Sequence, residues 1–127
     1  LRGGTGDDTL SGGWAADNLQ GGIGADVFLF QSALGGGGAD LISDFSSAQG
    51  DKLQITRWLT NIGNTGTLWS ERFTTGATAS ESDDRFVYDN TTGNLYYDAD
   101  GSGAGAQVHF ATLGNMATLT ASDIVIV

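Results

Sequence analysis

The first thirty residues of the chain carry one nine-residue pattern three times in succession. They read GGTGDDTLS at residues 3–11, GGWAADNLQ at residues 12–20 and GGIGADVFL at residues 21–29. The shared pattern is G-G-x-G-x-D-x-(apolar)-x, and its one departure is Ala15, which stands where the second repeat should have a glycine. A fixed period of this kind is typical of a parallel β-roll, in which a six-residue turn is followed by a three-residue strand. In each strand the apolar residue (Leu10, Leu19, Phe28) is predicted to point inward.

The turns offer the ligands that calcium prefers. Ca²⁺ takes roughly six to eight oxygen ligands and accepts backbone carbonyls as readily as carboxylates. The glycines let successive carbonyls turn inward, and the aspartate adds a carboxylate at the end of the turn. Because successive turns of a roll fall on opposite edges, turns 3–8 and 21–26 should stack on one edge. We predict one ion between them, with two carboxylates and four nearby carbonyls as ligands: Asp8, Asp26, Gly3, Thr5, Gly22 and Gly24.

The other edge has an incomplete site in the sequence. Turn 12–17 has no nonapeptide in phase after it, because residues 30–33 read FQSA. The predicted ligands on this edge are Gly12, Trp14 and Asp17, completed by an acid from further along the chain. The candidates for that acid are Asp40, Asp44 and Asp51. Ordinary turn chemistry, which also favours Asp, is the competing explanation for these three residues.

Composition narrows the class of protein. The chain has 127 residues with 15 acidic and 5 basic side chains, a formal net charge of −10, 21 glycines and no proline or cysteine. Nucleic acids and anionic membranes are poor partners for such a chain, because both need clustered Lys and Arg. The missing cysteines exclude disulfides and thiolate metal sites. No apolar run approaches the ~18 residues of a membrane span. The chain opens inside a repeat without an initiator Met, so we expect a fragment of a longer protein.

The rest of the chain reads as short strands. GGGG at residues 35–38 predicts a flexible crossing, and residues 39–45 and 49–55 predict strands. Residues 56–70 resist assignment and residues 71–83 predict an exposed loop. A hairpin is predicted from strands 85–89 and 94–98 around a turn at 90–93, followed by strands at 108–111 and 124–127. The predicted fold is all-β, with a short parallel β-roll over residues 1–34 that continues into a C-terminal β-sandwich over residues 35–127.

Signals for other functions are weak. Residues 98–103 open like an EF-hand loop, but the closing glutamate is missing and Gln107 and His109 follow, so a polar turn is predicted. There is no H-E-x-x-H and no G-x-S-x-G motif, and His109 is predicted to lie at the surface. We therefore expect no catalytic activity. Trp58 and Trp69 are predicted to be core anchors.

The repeats resemble those of RTX (hemolysin-type calcium-binding) proteins, which Gram-negative bacteria export by type I secretion. DLISDF at residues 40–45 and GDKL at 50–53 resemble the segment after the roll in serralysin-like C-terminal domains. Residues 86–101 are similar to the C-terminal module of many RTX proteases, lipases and epimerases, and DIVIV at 123–127 resembles an uncleaved type I secretion signal.

This resemblance implies a calcium-binding domain that folds on extracellular Ca²⁺ and directs type I secretion of a larger extracellular protein. Its partners would be calcium ions and, transiently, the type I secretion apparatus. It also implies that Asp44 and Asp51 are calcium ligands flanking the roll, and that the roll continues upstream. The alternative is a polysaccharide-binding or adhesive module of a secreted enzyme, built on exposed Trp14, Trp58 and Trp69 with nearby arginines (Arg57, Arg72, Arg85). Calcium-driven self-assembly through an open roll end is a third hypothesis.

Overall fold

The computed structural model describes residues 1–31, 34, 38–60, 65–79, 81–99, 101 and 107–127, without the side chain of Trp58. Within these ranges the chain forms β-strands joined by turns and four 3₁₀ helices of three residues each. The strands are β1 (Arg2–Thr5), β2 (Thr9–Leu10), β3 (Asn18–Ile23), β4 (Val27–Phe30), β5 (Asp40–Ile42), β6 (Lys52–Ile55), β7 (Gly66–Thr67), β8 (Phe73–Thr75), β9 (Phe86–Asp89), β10 (Asn94–Tyr97), β11 (Val108–Leu113) and β12 (Ile124–Ile126). The predicted all-β class is confirmed.

Two sheets pack against each other. The larger has the order β1-β3-β5-β11-β10-β9-β8, and the smaller has the order β2-β4-β6-β12-β7. Consecutive strands near the N-terminus alternate between the sheets, and each pairs in parallel with the strand two places along, as in β1 with β3 and β2 with β4. The antiparallel hairpin of β9 and β10 extends the larger sheet. A β-roll that continues into a β-sandwich is therefore confirmed.

The apolar residue of each repeat forms the inner wall of the roll. Leu10, Leu19 and Phe28 are at most 2% exposed, and Leu10 lies opposite Phe28 in the parallel register. Ile42 and Leu53 continue the same two rows, because Leu19 pairs with Ile42 and Phe28 with Leu53. Burying each of these side chains contributes roughly 1.5–3 kcal/mol. The period-two alternation of the strands thus produces one continuous core.

The C-terminal segment returns to the roll and adds a further winding. Strand β11 pairs in parallel with β5, and β12 pairs in parallel with β6. Both sheets therefore contain strands from each side of the predicted boundary between the roll (residues 1–34) and the sandwich (residues 35–127). Asp123, which is 2% exposed, holds this winding in place. Its carboxylate accepts hydrogen bonds from Ser47 Oγ at 2.7 Å and from Thr120 N at 3.0 Å, and lies 3.8 Å from Lys52 Nζ.

Other sequence predictions have mixed outcomes. The hairpin and the strands near residues 108 and 124 are confirmed. The prediction of an exposed loop over residues 71–83 is wrong for residues 73–75, which form β8. This strand pairs with β9, and Phe73 packs against the core. Trp69 is 52% exposed, so its prediction as a core residue is wrong; the Arg72 guanidinium lies 5.7 Å from its ring centre.

Some predictions can be placed only in part. His109 is half-buried rather than fully at the surface, with its Nε2 2.8 Å from Thr112 Oγ1 and its ring tilted against that of Tyr96, 5.3 Å away between centroids. The crossing at 35–37, Asp100, residues 102–106 and the Trp58 side chain lie outside the described residues.

Replacing Ala15 with glycine should stabilise the fold. The fourth residue of each turn has a positive φ, which is +98° at Gly6, +133° at Gly24 and +73° at Ala15. An alanine in this conformation is strained by roughly 1–2 kcal/mol. A glycine avoids this strain but loses more conformational freedom on folding, which offsets part of the gain. We expect Ala15→Gly to raise the free energy of unfolding in urea with saturating calcium by about 1 kcal/mol. The control is Ala16→Gly, since Ala16 has no positive φ and should lose stability. Equal effects of the two substitutions would contradict the strain at Ala15.

Candidate metal centre

The turns of the roll form two stacks, one on each edge. On the first edge, turn 3–8 lies directly beside turn 21–26, with Gly4 opposite Gly22. Segment 43–51 follows turn 21–26 on the same edge. On the second edge, turn 12–17 lies beside residues 38–40, and Leu41 N donates to Asp17 O at 2.8 Å. The predicted neighbourhood of Asp8 and Asp26 is therefore present.

One hydrogen-bond pattern recurs along both edges. Asp26 Oδ1 accepts the backbone N–H of Asp8 at 2.9 Å, and Asp51 Oδ1 accepts the N–H of Asp26 at 2.9 Å. On the second edge, Asp40 Oδ1 accepts the N–H of Asp17 at 3.0 Å. Each carboxylate thus reaches back to the aspartate of the preceding turn on its own edge. These bonds fix the side-chain orientation without using the second carboxylate oxygen.

Within the part of the chain that the structure describes, the second oxygen of all three repeat aspartates has no hydrogen-bond partner. Asp8 Oδ2, Asp17 Oδ2 and Asp26 Oδ2 are each buried and unpaired. A buried carboxylate oxygen without a partner is strongly unfavourable, because it has lost its hydration and gained nothing in return. A cation bound between the turns would remove this penalty.

Backbone oxygens share the space that these carboxylates face. A methyl group added to Gly3 would lie 2.6 Å from Gly21 O and 2.7 Å from Asp8 Oδ2, so both oxygens border one small cradle. The carbonyl oxygens of Gly4 and Gly6 lie directly against Gly22 and Gly24 of the next turn. Three of the predicted carbonyl donors, Gly3, Gly22 and Gly24, thus lie at the contact between the two turns.

The turns that carry the predicted carbonyl donors have an unusual backbone conformation. The carbonyls of Gly3, Thr5, Gly22 and Gly24 are predicted from the spacing of the motif. The second and fourth residues of these turns have positive φ, +101° at Gly4 and +97° at Gly22 for example. The direction of each carbonyl is therefore set by backbone conformation, and the letters of the motif do not encode it.

The structure selects among the three acids proposed to complete the second edge. Asp40 lies beside Asp17, whereas Asp44 and Asp51 lie on the first edge, next to turn 21–26. Burial raises the pKa of Asp40, a backbone hydrogen bond partly offsets that rise, and the charge of Asp17 raises the pKa further. Gly12 lies against Asp17 Oδ2, and the Trp14 side chain is exposed on the same turn.

Asp51 and Asp44 have different environments on the first edge. Asp51 is 1% exposed, and its oxygens accept the N–H groups of Asp26 and Ser46, both at 2.9 Å. Its pKa is raised by burial first, and also by the charges of Asp26 and Asp44, with backbone hydrogen bonds acting in the opposite direction. Asp44 accepts the N–H groups of Gly21 at 2.9 Å and Gly22 at 2.8 Å, one on each oxygen. Crowded acids of this kind favour a cation nearby.

A fourth copy of the motif explains why Asp40 lies beside Asp17. Residues 35–43 read GGGGADLIS, which fits G-G-x-G-x-D-x-(apolar)-x with Ile42 at the apolar position. Gly38 has the expected positive φ of +116°, and Ile42 is fully buried. This copy starts five residues later than the period requires, so a search at fixed phase misses it. A search that allows an insertion between repeats would have found it.

The donor set suits calcium. In the described part of the chain, no group of three or more His, Cys, Asp or Glu side chains converges as a metal site. Between turns 3–8 and 21–26, Asp8 Oδ2 and the carbonyl oxygen of Gly21 instead border the same small space. Such oxygen-only sites match Ca²⁺, which tolerates irregular geometry, better than Mg²⁺, which needs a near-octahedral shell.

A methyl group at Gly22 should disrupt this stack far more than one at Gly4. Both residues have positive φ, but a Cβ at Gly22 would collide with Gly4 O, whereas a Cβ at Gly4 has no described atom within 4 Å. We expect Gly4→Ala to cost about 1–2 kcal/mol of unfolding free energy from strain. Gly22→Ala should cost roughly 1–3 kcal/mol more through overpacking, and should also weaken calcium binding. Calcium titrations and urea unfolding of both variants test this, and equal losses would contradict the close contact between the turns.

Comparison with known families agrees with this geometry. The family model described as RTX calcium-binding nonapeptide repeat (4 copies) matches residues 1–28. No curated protein matches the chain. No helix among the described residues is long and apolar enough to cross a membrane. The stacked turns, their unpaired aspartate oxygens and the family match lead to one conclusion: residues 1–28 are RTX calcium-binding nonapeptide repeats.

Proposed function

We propose that this chain binds calcium between the turns of its roll and folds in response to extracellular calcium. The observation that carries the proposal is the set of buried, unpaired oxygens on Asp8, Asp17 and Asp26. Without a cation these carboxylates remain desolvated in a strongly acidic chain, which opposes folding. Extracellular calcium modules have dissociation constants of about 10⁻⁴–10⁻³ M, so the roll would fold outside the cell and stay unfolded inside.

Calcium titration tests the folding switch. Circular dichroism and isothermal calorimetry should show a calcium-dependent gain of β-structure together with ion binding, and magnesium should have little effect. The core of the roll is continuous with that of the sandwich, so we expect most of the order to depend on calcium. A fully folded spectrum in excess EGTA would contradict the proposal.

We also propose that the C-terminal residues direct type I secretion of a larger extracellular protein, with a non-catalytic role for this chain. In support, β12 lies between β6 and β7 with Ile124 and Ile126 buried, so the folded chain buries most of the apolar surface of this segment. An export apparatus would have to read this segment before the chain folds, which low cytosolic calcium would allow.

Export should therefore depend on the C-terminal residues even in the cytosol, where neither the complete chain nor a truncated one is folded. The test compares secretion of the complete chain and of one lacking residues 124–127 from cells that carry a type I apparatus. Both chains are unfolded at low cytosolic calcium, so a folding difference does not confuse the comparison. Equal export of the two chains would refute the secretion role.

An extracellular polysaccharide is the second candidate partner. Its support is Trp69, which is 52% exposed with the Arg72 guanidinium beside its ring, and Trp14, which is 69% exposed. Exposed aromatic rings next to a cation suit the faces of sugar rings and acidic substituents. A glycan array probed in the presence of calcium, with Trp69→Ala as the comparison, separates this role from a pure folding role.

A further inference from the structure

Asp44 differs from the other aspartates of the roll in how it uses its oxygens. The repeat aspartates Asp8, Asp17 and Asp26 each keep a buried oxygen without a partner. Asp44 instead accepts a hydrogen bond from Gly21 N at 2.9 Å with one oxygen and from Gly22 N at 2.8 Å with the other. Its carboxylate is thus bound to the backbone of turn 21–26 through both oxygens.

The topology explains why this turn needs a side-chain acceptor. Strand β3 runs from Asn18 to Ile23, but its downstream neighbour β5 pairs only with Asn18 and Leu19. One more backbone bond follows, from Ser43 N to Leu19 O at 3.0 Å. Beyond that point β5 offers no backbone acceptor to Gly21 and Gly22. The Asp44 carboxylate accepts hydrogen bonds from their N–H groups instead. Gln49 Oε1 accepts a further hydrogen bond from Gly24 N at 3.1 Å.

These bonds set the direction of a carbonyl on the opposite side of the turn. A trans peptide is planar, so its N–H and C=O point in opposite directions. When Asp44 holds the N–H of Gly22, the carbonyl of Gly21 in the same peptide must point away from Asp44. That carbonyl is the oxygen that shares the cradle beside Gly3 with Asp8 Oδ2.

We infer that Asp44, supported by Gln49, is a positioning residue that holds turn 21–26 in its calcium-binding conformation and does not itself bind the ion. The inference rests on the proposed calcium binding between turns 3–8 and 21–26. It departs from the family resemblance, which implies that Asp44 is a ligand. The carboxylate orients the Gly21–Gly22 peptide. In this way it directs the carbonyl of Gly21 toward the ion.

Asp44→Asn is the direct test, because asparagine can accept only one of the two N–H bonds. Calorimetry should show an unchanged number of bound ions and a weaker calcium affinity, by about 10–100-fold as for residues that orient metal ligands. Terbium luminescence lifetimes in H₂O and D₂O should show an unchanged number of bound waters. A lost ion or an added water would make Asp44 a ligand, and an unchanged calcium affinity would leave it no positioning role.

Two further variants keep the test decisive. Asp8→Asn removes a proposed ligand while leaving the Asp8 N–H bond intact, so it should lose an ion or add bound water. Gln49→Ala alters an exposed side chain and should fold even if Asp44→Asn does not. It should weaken calcium binding severalfold at constant ion number, and no weakening would overturn the inference. A wild-type chain that binds no calcium would instead refute the proposed function.

Discussion

Asp26→Asn should reduce calcium affinity at the first edge by more than 100-fold, beyond the roughly 10–100-fold that a supporting residue costs. Asp26 is fully buried, and its Oδ2 has no partner. Asparagine preserves the side-chain volume and can still accept the N–H of Asp8. It removes the charge, however, and replaces the open oxygen with an amide that cannot bind a cation. Calorimetry on the purified chain measures the loss.

Asp7→Asn is the matched control for this substitution. Asp7 is an exposed acid on the same edge, and its Oδ1 accepts the N–H of Ala25 at 2.9 Å, a bond that asparagine keeps. The net charge changes equally in the two variants. We expect Asp7→Asn to change calcium affinity by only a few-fold, through long-range charge alone. If both variants lose affinity equally, the effect of Asp26 is general electrostatics and its role as a ligand is wrong.

Removal of residues 124–127 should abolish cooperative folding even at saturating calcium. These residues form β12, which pairs with β6 on one side and β7 on the other. Ile124 is fully buried and Ile126 is 1% exposed, and each lost isoleucine side chain costs about 2–5 kcal/mol. The deletion also exposes the edge of β6 and leaves β7 without its partner. The total approaches the whole stability of a domain, roughly 5–15 kcal/mol.

Thermal unfolding followed by circular dichroism tests this expectation. Val127→Ala is the control, because the Val127 side chain is 43% exposed and its backbone bonds to Ile55 and Arg57 are retained. That variant should unfold cooperatively within about 1 kcal/mol of the wild type, as exposed substitutions usually do. A truncated chain that unfolds at the wild-type temperature would show that β12 is dispensable for the fold.

The pairing of Asp8 with Asp26 could be predicted because it depends only on the period of the repeat. Two turns separated by two repeats must stack on one edge, and the apolar residue of each repeat must face inward. The prediction therefore needed no knowledge of distant contacts. The same argument failed on the second edge, where five additional residues displace the fourth copy of the motif and bring Asp40 to Asp17.

The sequence by itself thus determined the β-roll, its inner wall of Leu10, Leu19 and Phe28, and the calcium chemistry of its turns. Only the tertiary structure decided which acid lies beside Asp17, how Asp44 and Asp51 divide their hydrogen bonds, and where the C-terminal strand lies. The return of β11 to β5 pairs Leu113 with Ile42 on adjacent strands of the larger sheet. Such pairings form through backbone hydrogen bonds and shared burial between distant segments. They have no period, so no local pattern of residues encodes them.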